Sequence, residues 1–311
     1  MKICMVGLGS IGIRHLKNLP AVLSARNEEF TIDALRSSSR RLIPEVEGLL
    51  QNQFYSISDL PDDYDVAFIC SPTSEHTKMI QSIASKAKHL FIEKPVFNNP
   101  KDLEKITVKD GSVYYVACPL RYSRILRTLK NIIEDKTIFS VRVISSTFLP
   151  EWRPNTDYRK IYSAISELGG GVELDMIHEW DYIIWLFGFP QAVQCYLGKY
   201  SDLDIDSNDA AMYIAKYKDK LVNVYLDYFG KVWRREVEFC VKDDVITADL
   251  IHQQIRFLKD NIVLDLSEDR DVMQKRELDS FFDMIAGNCE NQNTIETAAK
   301  VLSIAKGEYR P

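Results

Sequence analysis

The feature that most restricts this chain stands at its start. Lys2-Ile3-Cys4-Met5-Val6, a short run of apolar and β-branched residues, leads directly into Gly7-Leu8-Gly9-Ser10-Ile11-Gly12. A strand that passes through Gly-x-Gly-x-x-Gly into a helix makes a particular turn. The first glycine permits the tight bend, the second lets an anion approach the main chain, and the third lets the helix pack against the strand. The N–H groups exposed at the helix start then face that anion. Gly7, Gly9, Ser10, Ile11 and Gly12 are therefore expected to cradle the pyrophosphate of a dinucleotide. A glycine-rich turn without a ligand would explain the glycines but not their placement between strand and helix.

Beyond the glycines, strands and helices alternate. Short β-branched runs at 31–35, 65–70, 89–92 and 112–116 read as further strands of a parallel sheet. Met79, Ile80, Ile83, Ala84 and Ala87 fall on one stripe of an intervening helix. Near residue 120 the pattern changes. After a helical segment at 122–135 come long period-two runs at 141–148, 211–217, 221–228, 237–241 and 255–258, with Lys218-Asp219-Lys220 as a short turn. These predict an antiparallel sheet. One helix over 175–187 stops at Gly188, with Pro190 beyond it, and helical segments at 276–285 and 294–306 close the chain. Two domains are expected, a dinucleotide-binding Rossmann domain over 1–120 and an α+β domain over 121–311.

Composition narrows the function classes. Of 311 residues 46% are hydrophobic, enough for a sizeable core. There are 45 acidic residues against 39 Lys and Arg, so a nucleic-acid partner, which needs clustered basic excess, is not expected. No apolar run approaches the ~20 residues that span a bilayer, and the start lacks the apolar core and cleavage site of a signal peptide. The six cysteines lie in apolar surroundings and never form Cys-x-x-Cys. Reduced, buried thiols in a cytoplasmic protein are expected rather than disulfides or a metal site.

The strand ends supply the next candidates, because ligands of open parallel sheets bind beyond them. An acid that pairs the ribose hydroxyls of NAD belongs near the end of the second strand. The sequence there is Leu35-Arg36-Ser37-Ser38-Ser39-Arg40-Arg41. Arg36, Ser37 and Arg40 suit a dianionic 2′-phosphate, so NADP is expected in preference to NAD, unless this is an ordinary solvated loop. Ser71, Pro72 and Thr73 end the third strand and are expected to line the crevice. Ser74 is an alternative helix cap, and His76 either touches ligand or lies on the surface. The fourth strand ends Glu93-Lys94-Pro95. Proline favours an extended residue before it, which aims the Lys94 ammonium into the crevice, where it can hydrogen-bond a reacting oxygen.

A third motif, Gly169-Gly170-Gly171-Val172-Glu173-Leu174-Asp175-Met176-Ile177-His178-Glu179-Trp180-Asp181, completes a set. Together with the glycine turn and Glu-Lys-Pro, in this order, it resembles the glucose-fructose oxidoreductase and inositol dehydrogenase (Gfo/Idh/MocA) family over nearly the whole chain. The resemblance implies a Rossmann domain followed by a domain with a large, open, mainly antiparallel sheet often used in subunit contacts, hence a homodimer or homotetramer. It also implies hydride transfer between NAD or NADP and a sugar or polyol hydroxyl, with Lys94 acting at that hydroxyl and Glu93 bordering the cofactor.

Asp175, His178 and Asp181, spaced by three, form an arc on a continuous helix. The family's common spacing from aspartate to histidine is four, and here it is three. His178 matches the family's catalytic histidine, which leaves Asp175 as its displaced partner or as a helix-terminal acid. A surface histidine is the plain alternative. With a reference pKa of about 6.5, neutral His178 can take the hydroxyl proton while Lys94 stabilises the oxygen.

Between the two domains the sequence places a polar aromatic loop at 149–162. Trp152, Arg153, Tyr158, Arg159 and Tyr162 are substrate candidates, aromatic faces for sugar C–H surfaces and arginine forks for carboxylate or phosphate. The loop resembles that of members linked to surface-sugar and sialic-acid-like pathways, so the expected substrate is a sugar, sugar acid or nucleotide-linked sugar. Arg121 faces the same cleft or serves as a hinge or cap. A redox-neutral sugar enzyme, an epimerase or glycoside-cleaving relative, would carry nearly the same motifs. A dinucleotide-sensing protein would keep the glycines without needing Lys94 and His178.

Overall fold

The computed structural model describes residues 1–311. In chain order the first elements are β1 (Lys2–Val6), α1 (Ser10–Ala25), β2 (Thr31–Leu35), α2 (Pro44–Glu47), β3 (Asn52–Phe54), β4 (Tyr64–Ile69), α3 (His76–Ile83), β5 (Ala87–Ile92) and β6 (Tyr114–Val116). Then come α4 (Arg124–Ile133), β7 (Ile138–Phe148), α5 (Val172–Asp175), α6 (His178–Phe187), β8 (Ala192–Gly198), β9 (Ala210–Lys216), β10 (Leu221–Asp227) and β11 (Phe229–Val241). The last are β12 (Val245–Asp249), β13 (Gln254–Phe257), β14 (Ile262–Asp265), α7 (Arg270–Ile285) and α8 (Ile295–Ala305). The chain divides into two compact units, Met1–Pro119 with Arg270–Ala299, and Leu120–Asp269 with Lys300–Pro311.

In the first unit all strands are parallel, in the order β3-β2-β1-β4-β5-β6. Helices cover both faces of such a sheet, so its strands are apolar throughout, and β1, β4 and β5 are almost entirely buried. The chain starts in the middle and winds outward both ways, which puts the switch point between β1 and β4. β3 carried no sequence signal, because Asn-Gln-Phe lacks an apolar run. The helix expected to include Ala87 ends at Ile83, and Ala87 opens β5 instead, the apolar stripe having run on into the next strand.

Residues 270–299, counted with the second half when the sequence is read alone, belong to the first unit. α7 lies along α1, where Arg26 reaches Asp279 and Asp283 at 2.6 and 2.9 Å. Phe281 packs its ring against Phe68, Phe91 and Tyr115 at 5.3–6.0 Å. Burying one such ring contributes about 1.5–3 kcal/mol. Glu277, fully buried, accepts from the Tyr115 hydroxyl at 2.9 Å and the Cys118 N–H at 2.6 Å.

The second unit holds one sheet in the order β14-β13-β12-β11-β7-β10-β9-β8. Neighbours are antiparallel except β7 and β10, which run parallel with Val143 opposite Val224. The period-two runs foretold β7, β9, β10, the end of β11 and β13, but not β8, β12 or β14, and not this pairing, since alternation reports which face is buried and not strand direction. One face is core: Val141, Val143, Val224, Val237 and Phe239 are buried, and Trp180 of α6 meets Tyr213 edge-on at 5.2 Å. The other face leaves Tyr196, Met212, Ile214, Leu221 and Phe139 exposed. α4 starts where Ser123 Oγ accepts the Leu126 N–H at 3.3 Å. The single helix expected over 175–187 is broken: α5 ends at Asp175, Met176 leaves helical geometry at φ −99° and ψ 23°, and α6 begins at His178.

No cysteine is bonded to another. Cys4, Cys70 and Cys118 are buried, whereas Cys195 and Cys240 are half-buried and Cys289 is exposed, so the expectation of uniformly buried thiols fails for the last three. No helix is long and apolar enough to cross a membrane.

Candidate active site

The glycine turn has the tight bend and the close helix packing that its spacing foretold. Gly7 has φ +94°, and a Cβ there would lie 2.9 Å from the Cys70 carbonyl oxygen and 3.0 Å from the Ser71 nitrogen. Gly12 packs so closely that a Cβ would lie 2.3 Å from the Gly7 oxygen. Gly9 differs, since nothing comes within 4 Å of a Cβ built on it. The α1 start bears no side-chain cap and no acid in its first turn, with Gly9 at the cap position. Uncapped N–H groups, an open glycine and the positive end of a 16-residue helix fit a dinucleotide pyrophosphate. Gly7 N–H bonds Leu35, Cys70 N–H bonds Val6, and Glu93 N–H bonds Ile69, so the ends of β1, β2, β4 and β5 stand in one row around this turn. Ser71 contributes a buried Oγ with no hydrogen-bond partner. Pro72 is exposed and Thr73 half-buried.

At the end of β2 no acid faces outward. The one acid of that strand, Asp33, is buried and accepts from Asn52 Nδ2 at 2.9 Å and the Tyr64 hydroxyl at 2.8 Å. Ser37 and Arg40 are exposed. Arg36 is not an open fork: its guanidinium donates to Gln53 Oε1 at 2.6 Å, to the Tyr55 hydroxyl at 3.2 Å and to the Arg40 carbonyl. It is buried, and it ties the end of β2 to Gln53 of β3, to Tyr55 and to the loop main chain at Arg40.

His76 takes neither of its expected parts. It is 1% exposed, with Nε2 2.9 Å from the Ser71 carbonyl and Nδ1 3.0 Å from that of Pro95, so it ties the β4 and β5 ends together. Burial holds its pKa below the ordinary value, against the pull of those carbonyls and of Glu93. Glu93, expected to border the cofactor, turns inward. Its Oε1 lies 2.6 Å from His15 Nε2, and its Oε2 accepts the Lys94 backbone N–H at 3.2 Å. Lys94 itself is half-buried at the end of β5, and its bond to Pro95 is cis.

In the second unit Asp175 is gripped by two hydroxyls, Tyr162 on Oδ1 and Tyr228 on Oδ2, each at 2.5 Å. Burial first, and then the Asp175 charge, pushes both phenols well above their ordinary range. Trp152 meets Tyr228 edge-on at 5.3 Å while its Nε1 donates to Thr147 Oγ1 at 2.9 Å. The structure thus brings together Trp152, Tyr162 and Asp175 from the expected set. Arg153, exposed, lies near enough for its charge to act on Tyr162. The loop itself is internal to this unit, linking β7 to α5, rather than lying between domains.

Other candidates are engaged elsewhere. The exposed Arg159 forks onto Asp157 at 2.8 and 2.9 Å, and the Tyr158 hydroxyl accepts the Asp204 N–H at 3.2 Å. Arg121 is buried and bidentate on Asp181, with Nε and Nη2 at 2.9 and 2.6 Å from its oxygens. Since α5 and α6 are separate, Asp175, His178 and Asp181 do not form the arc of one helix. His178 is instead the first residue of α6, half-buried, beside a fully buried Glu179 that pairs with Arg235 at 2.6 Å.

Two residues of these clusters were not singled out from sequence. His15 sits where an apolar residue would continue the Leu19, Val22 stripe of α1, a polar interruption that marks a buried partner. Tyr228 closes the 221–228 run, and nothing in the sequence marked it as a partner of Asp175.

Comparison with known proteins places these observations. The family model described as "Oxidoreductase family, NAD-binding Rossmann fold" matches residues 1–111, and the "GFO/IDH/MocA C-terminal domain" matches 126–239. The myo-inositol 2-dehydrogenase of Thermotoga maritima is 28% identical over 194 residues, 60% of this chain and 55% of that protein. The chain therefore spans about half the length of the curated relatives it matches. Among solved structures, levoglucosan dehydrogenase in complex with NADH and levoglucosan superposes with a TM-score of 0.84 at 17% identity, covering 98% of this chain and 95% of that one. The WlbA dehydrogenase of Bordetella pertussis, in complex with NADH and UDP-GlcNAcA, gives 0.79 at 17% identity, with 98% and 94% covered. At these identities the likeness is one of fold.

Proposed function

The chain belongs to the Gfo/Idh/MocA oxidoreductase family, and from that premise we propose that it transfers a hydride between NAD(P) and a hydroxyl or keto group of a sugar, sugar acid or nucleotide-linked sugar. The observation that carries this is the open, uncapped glycine turn with Lys94 at a neighbouring strand end. Relatives and structural neighbours named as inositol, levoglucosan and UDP-sugar dehydrogenases support the substrate class.

When bound, the nicotinamide supplies a two-electron hydride acceptor or donor. The chain supplies the rest. A sugar hydroxyl is too weak an acid to ionise alone at neutral pH, so its proton must leave as the C–H electron pair departs. Neutral His178 takes that proton as general base, and the C–O single bond becomes a carbonyl. Lys94 donates a hydrogen bond to the oxygen, a contribution on the order of 3 kcal/mol in the transition state. Asp175, held by Tyr162 and Tyr228, orients the aromatic wall of the substrate site with Trp152. Reduction runs the same steps backwards.

NADP is the preferred partner on this reading: β2 ends without an available acid, and Arg36, Ser37 and Arg40 gather there. The exposed apolar face of the second sheet supports a homodimer or homotetramer. The test is absorbance at 340 nm with NADP or NAD and a panel of sugars, sugar acids and nucleotide sugars. Reduction that Lys94→Ala and His178→Ala each cut by a hundredfold or more, about 2.7 kcal/mol, supports the proposal. Turnover of sugar without net change at 340 nm would point to redox-neutral chemistry, and unchanged turnover in both variants would remove the assigned roles.

A further inference from the structure

α1 carries two things. At its start is the glycine turn, and one turn further in is His15, 1% exposed and packed against the rings of Phe91 and Phe68 at 4.9 and 5.9 Å. His15 Nε2 donates to Glu93 Oε1 at 2.6 Å, the other Glu93 oxygen accepts the Lys94 N–H, and His15 Nδ1 has no partner. We propose that His15 is a positioning residue for Lys94, holding Glu93 as a fixed carboxylate that anchors the Lys94 main chain and sets negative charge beside its amine. The inference rests on reading Lys94 as the group that holds the reacting oxygen.

The physical case is that a carboxylate does not stay charged in such a place unaided. Burial works to raise the Glu93 carboxyl, yet the His15 hydrogen bond and the charges of His15, Lys94 and His76 together keep it below the ordinary range. The groups facing it come from every element packed around it: His15 on α1, His76 on α3, Cys70 at the end of β4 and Lys94 on its own strand end. Burial works against a charge on His76, and the Cys70 thiol is pushed up by burial and then by Glu93. Of the influences that keep the carboxylate low, the His15 hydrogen bond is the largest, ahead of the charges of His15, Lys94 and His76. Because the same helix presents its N-terminus to the phosphates, cofactor loop and amine share one rigid frame.

The amine can be followed without any sugar. Limited acylation of the full-length protein, read peptide by peptide in a mass spectrometer across alkaline pH, gives the labelling midpoint of Lys94. Loss of a nearby carboxylate charge makes a lysine easier to deprotonate. Glu93→Gln should therefore lower that midpoint by about one pH unit, speeding labelling on its acid side about tenfold, and His15→Phe, which frees the carboxylate from its fixed place, should lower it part of the way. The double variant should move it no further, and His15→Gln, which keeps an N–H donor, should return it towards the parent value. Other lysines should be unaffected. An unmoved Lys94 midpoint in variants with intact near-ultraviolet dichroism overturns the proposal, as does a shift with Glu93→Gln but none with His15→Phe. Should His15→Phe fail to fold, His15→Leu, which also lacks a donor, is read in its place. A protein that moves hydride to or from no sugar would retire the dehydrogenase reading and leave the labelling result standing. Turnover with an unmoved midpoint would sink this inference only.

Discussion

The same chemical change, glycine to alanine, should do opposite things at two positions three residues apart. At Gly9 the backbone is extended, with φ −74° and ψ −171°, and a methyl group meets nothing within 4 Å. Alanine fits there and removes freedom from the unfolded chain, worth about 0.4–1 kcal/mol in favour of folding. In a unit of about 150 residues that is a rise of about 1–4 °C in Tm. The methyl, however, occupies the space through which a phosphate oxygen would approach the first N–H groups of α1. Losing one charge-assisted hydrogen bond costs about 1.5–3 kcal/mol, so the cofactor should bind about 10- to 150-fold more weakly. At Gly12 the methyl lies 2.3 Å from the Gly7 oxygen, and Gly7 cannot readily yield because its own φ is +94°. Overpacking of that kind costs about 1–3 kcal/mol, a fall of about 2–12 °C. Calorimetry of the protein without cofactor and fluorescence titration with NADPH and NADH measure both quantities. If Gly9→Ala binds as tightly as the parent, no phosphate passes over position 9. If Gly12→Ala melts with the parent, the close packing of turn and helix is not as described.

Three further outcomes rest on buried charge. Arg121→Met leaves the Asp181 carboxylate buried without its fork and should cost about 3–5 kcal/mol in urea denaturation, whereas Arg159→Ala, on an exposed pair, should leave the midpoint where it is. Equal effects from the two would deny the contrast. Glu173 is almost fully buried, its Oε2 unpartnered and Lys306 no nearer than 4.0 Å, and burial raises its carboxyl above the usual range. A raised folded pKa means stability present below the unfolded value of about 4.3 and lost as pH rises through the folded one. Glu173→Gln should therefore raise Tm at pH 7 and leave it unchanged near pH 4; a loss at pH 7 refutes this. Tyr228→Phe takes one of two hydroxyl donors from Asp175 and should cost about 1–2 kcal/mol, so an unchanged denaturation midpoint would deny that bond its weight.

The sequence disclosed most where local chemistry is obligatory. The glycine turn and the Gly188 stop of α6 each need the one residue type that fits a positive φ or a close approach, and the buried strands of the first sheet need apolar side chains on both faces. It disclosed least where long-range pairing decides. Arg121 and Arg36 look like free cations in a string of letters, and only folding brings Asp181 to one and Gln53 with Tyr55 to the other. The break between α5 and α6 was hidden because Met176 and Ile177 are good helix formers in isolation. α7 joined the first unit because Phe281 and Glu277 find partners more than 150 residues away, a distance no periodicity records. For the site, the glycines and the Trp152, Tyr162 and Asp175 group were legible as residue types. His15 and Tyr228, which hold two of the expected carboxylates, became visible only through contact.

Strand β7 sits in the middle of its sheet, yet both of its neighbours, β10 and β11, are encoded more than 70 residues after it ends. A nascent chain emerging at 5–20 residues per second would expose both rims of this 11-residue ribbon for roughly 4–15 s before the first matching strand exists. No hairpin can zip it locally, so assembly must wait on a late, distant closure of the slow-folding kind. Chaperone demand during synthesis should accordingly be set by this ribbon, and a stalled ribosome short of residue 221 should yield an aggregation-prone fragment however sound the completed molecule is.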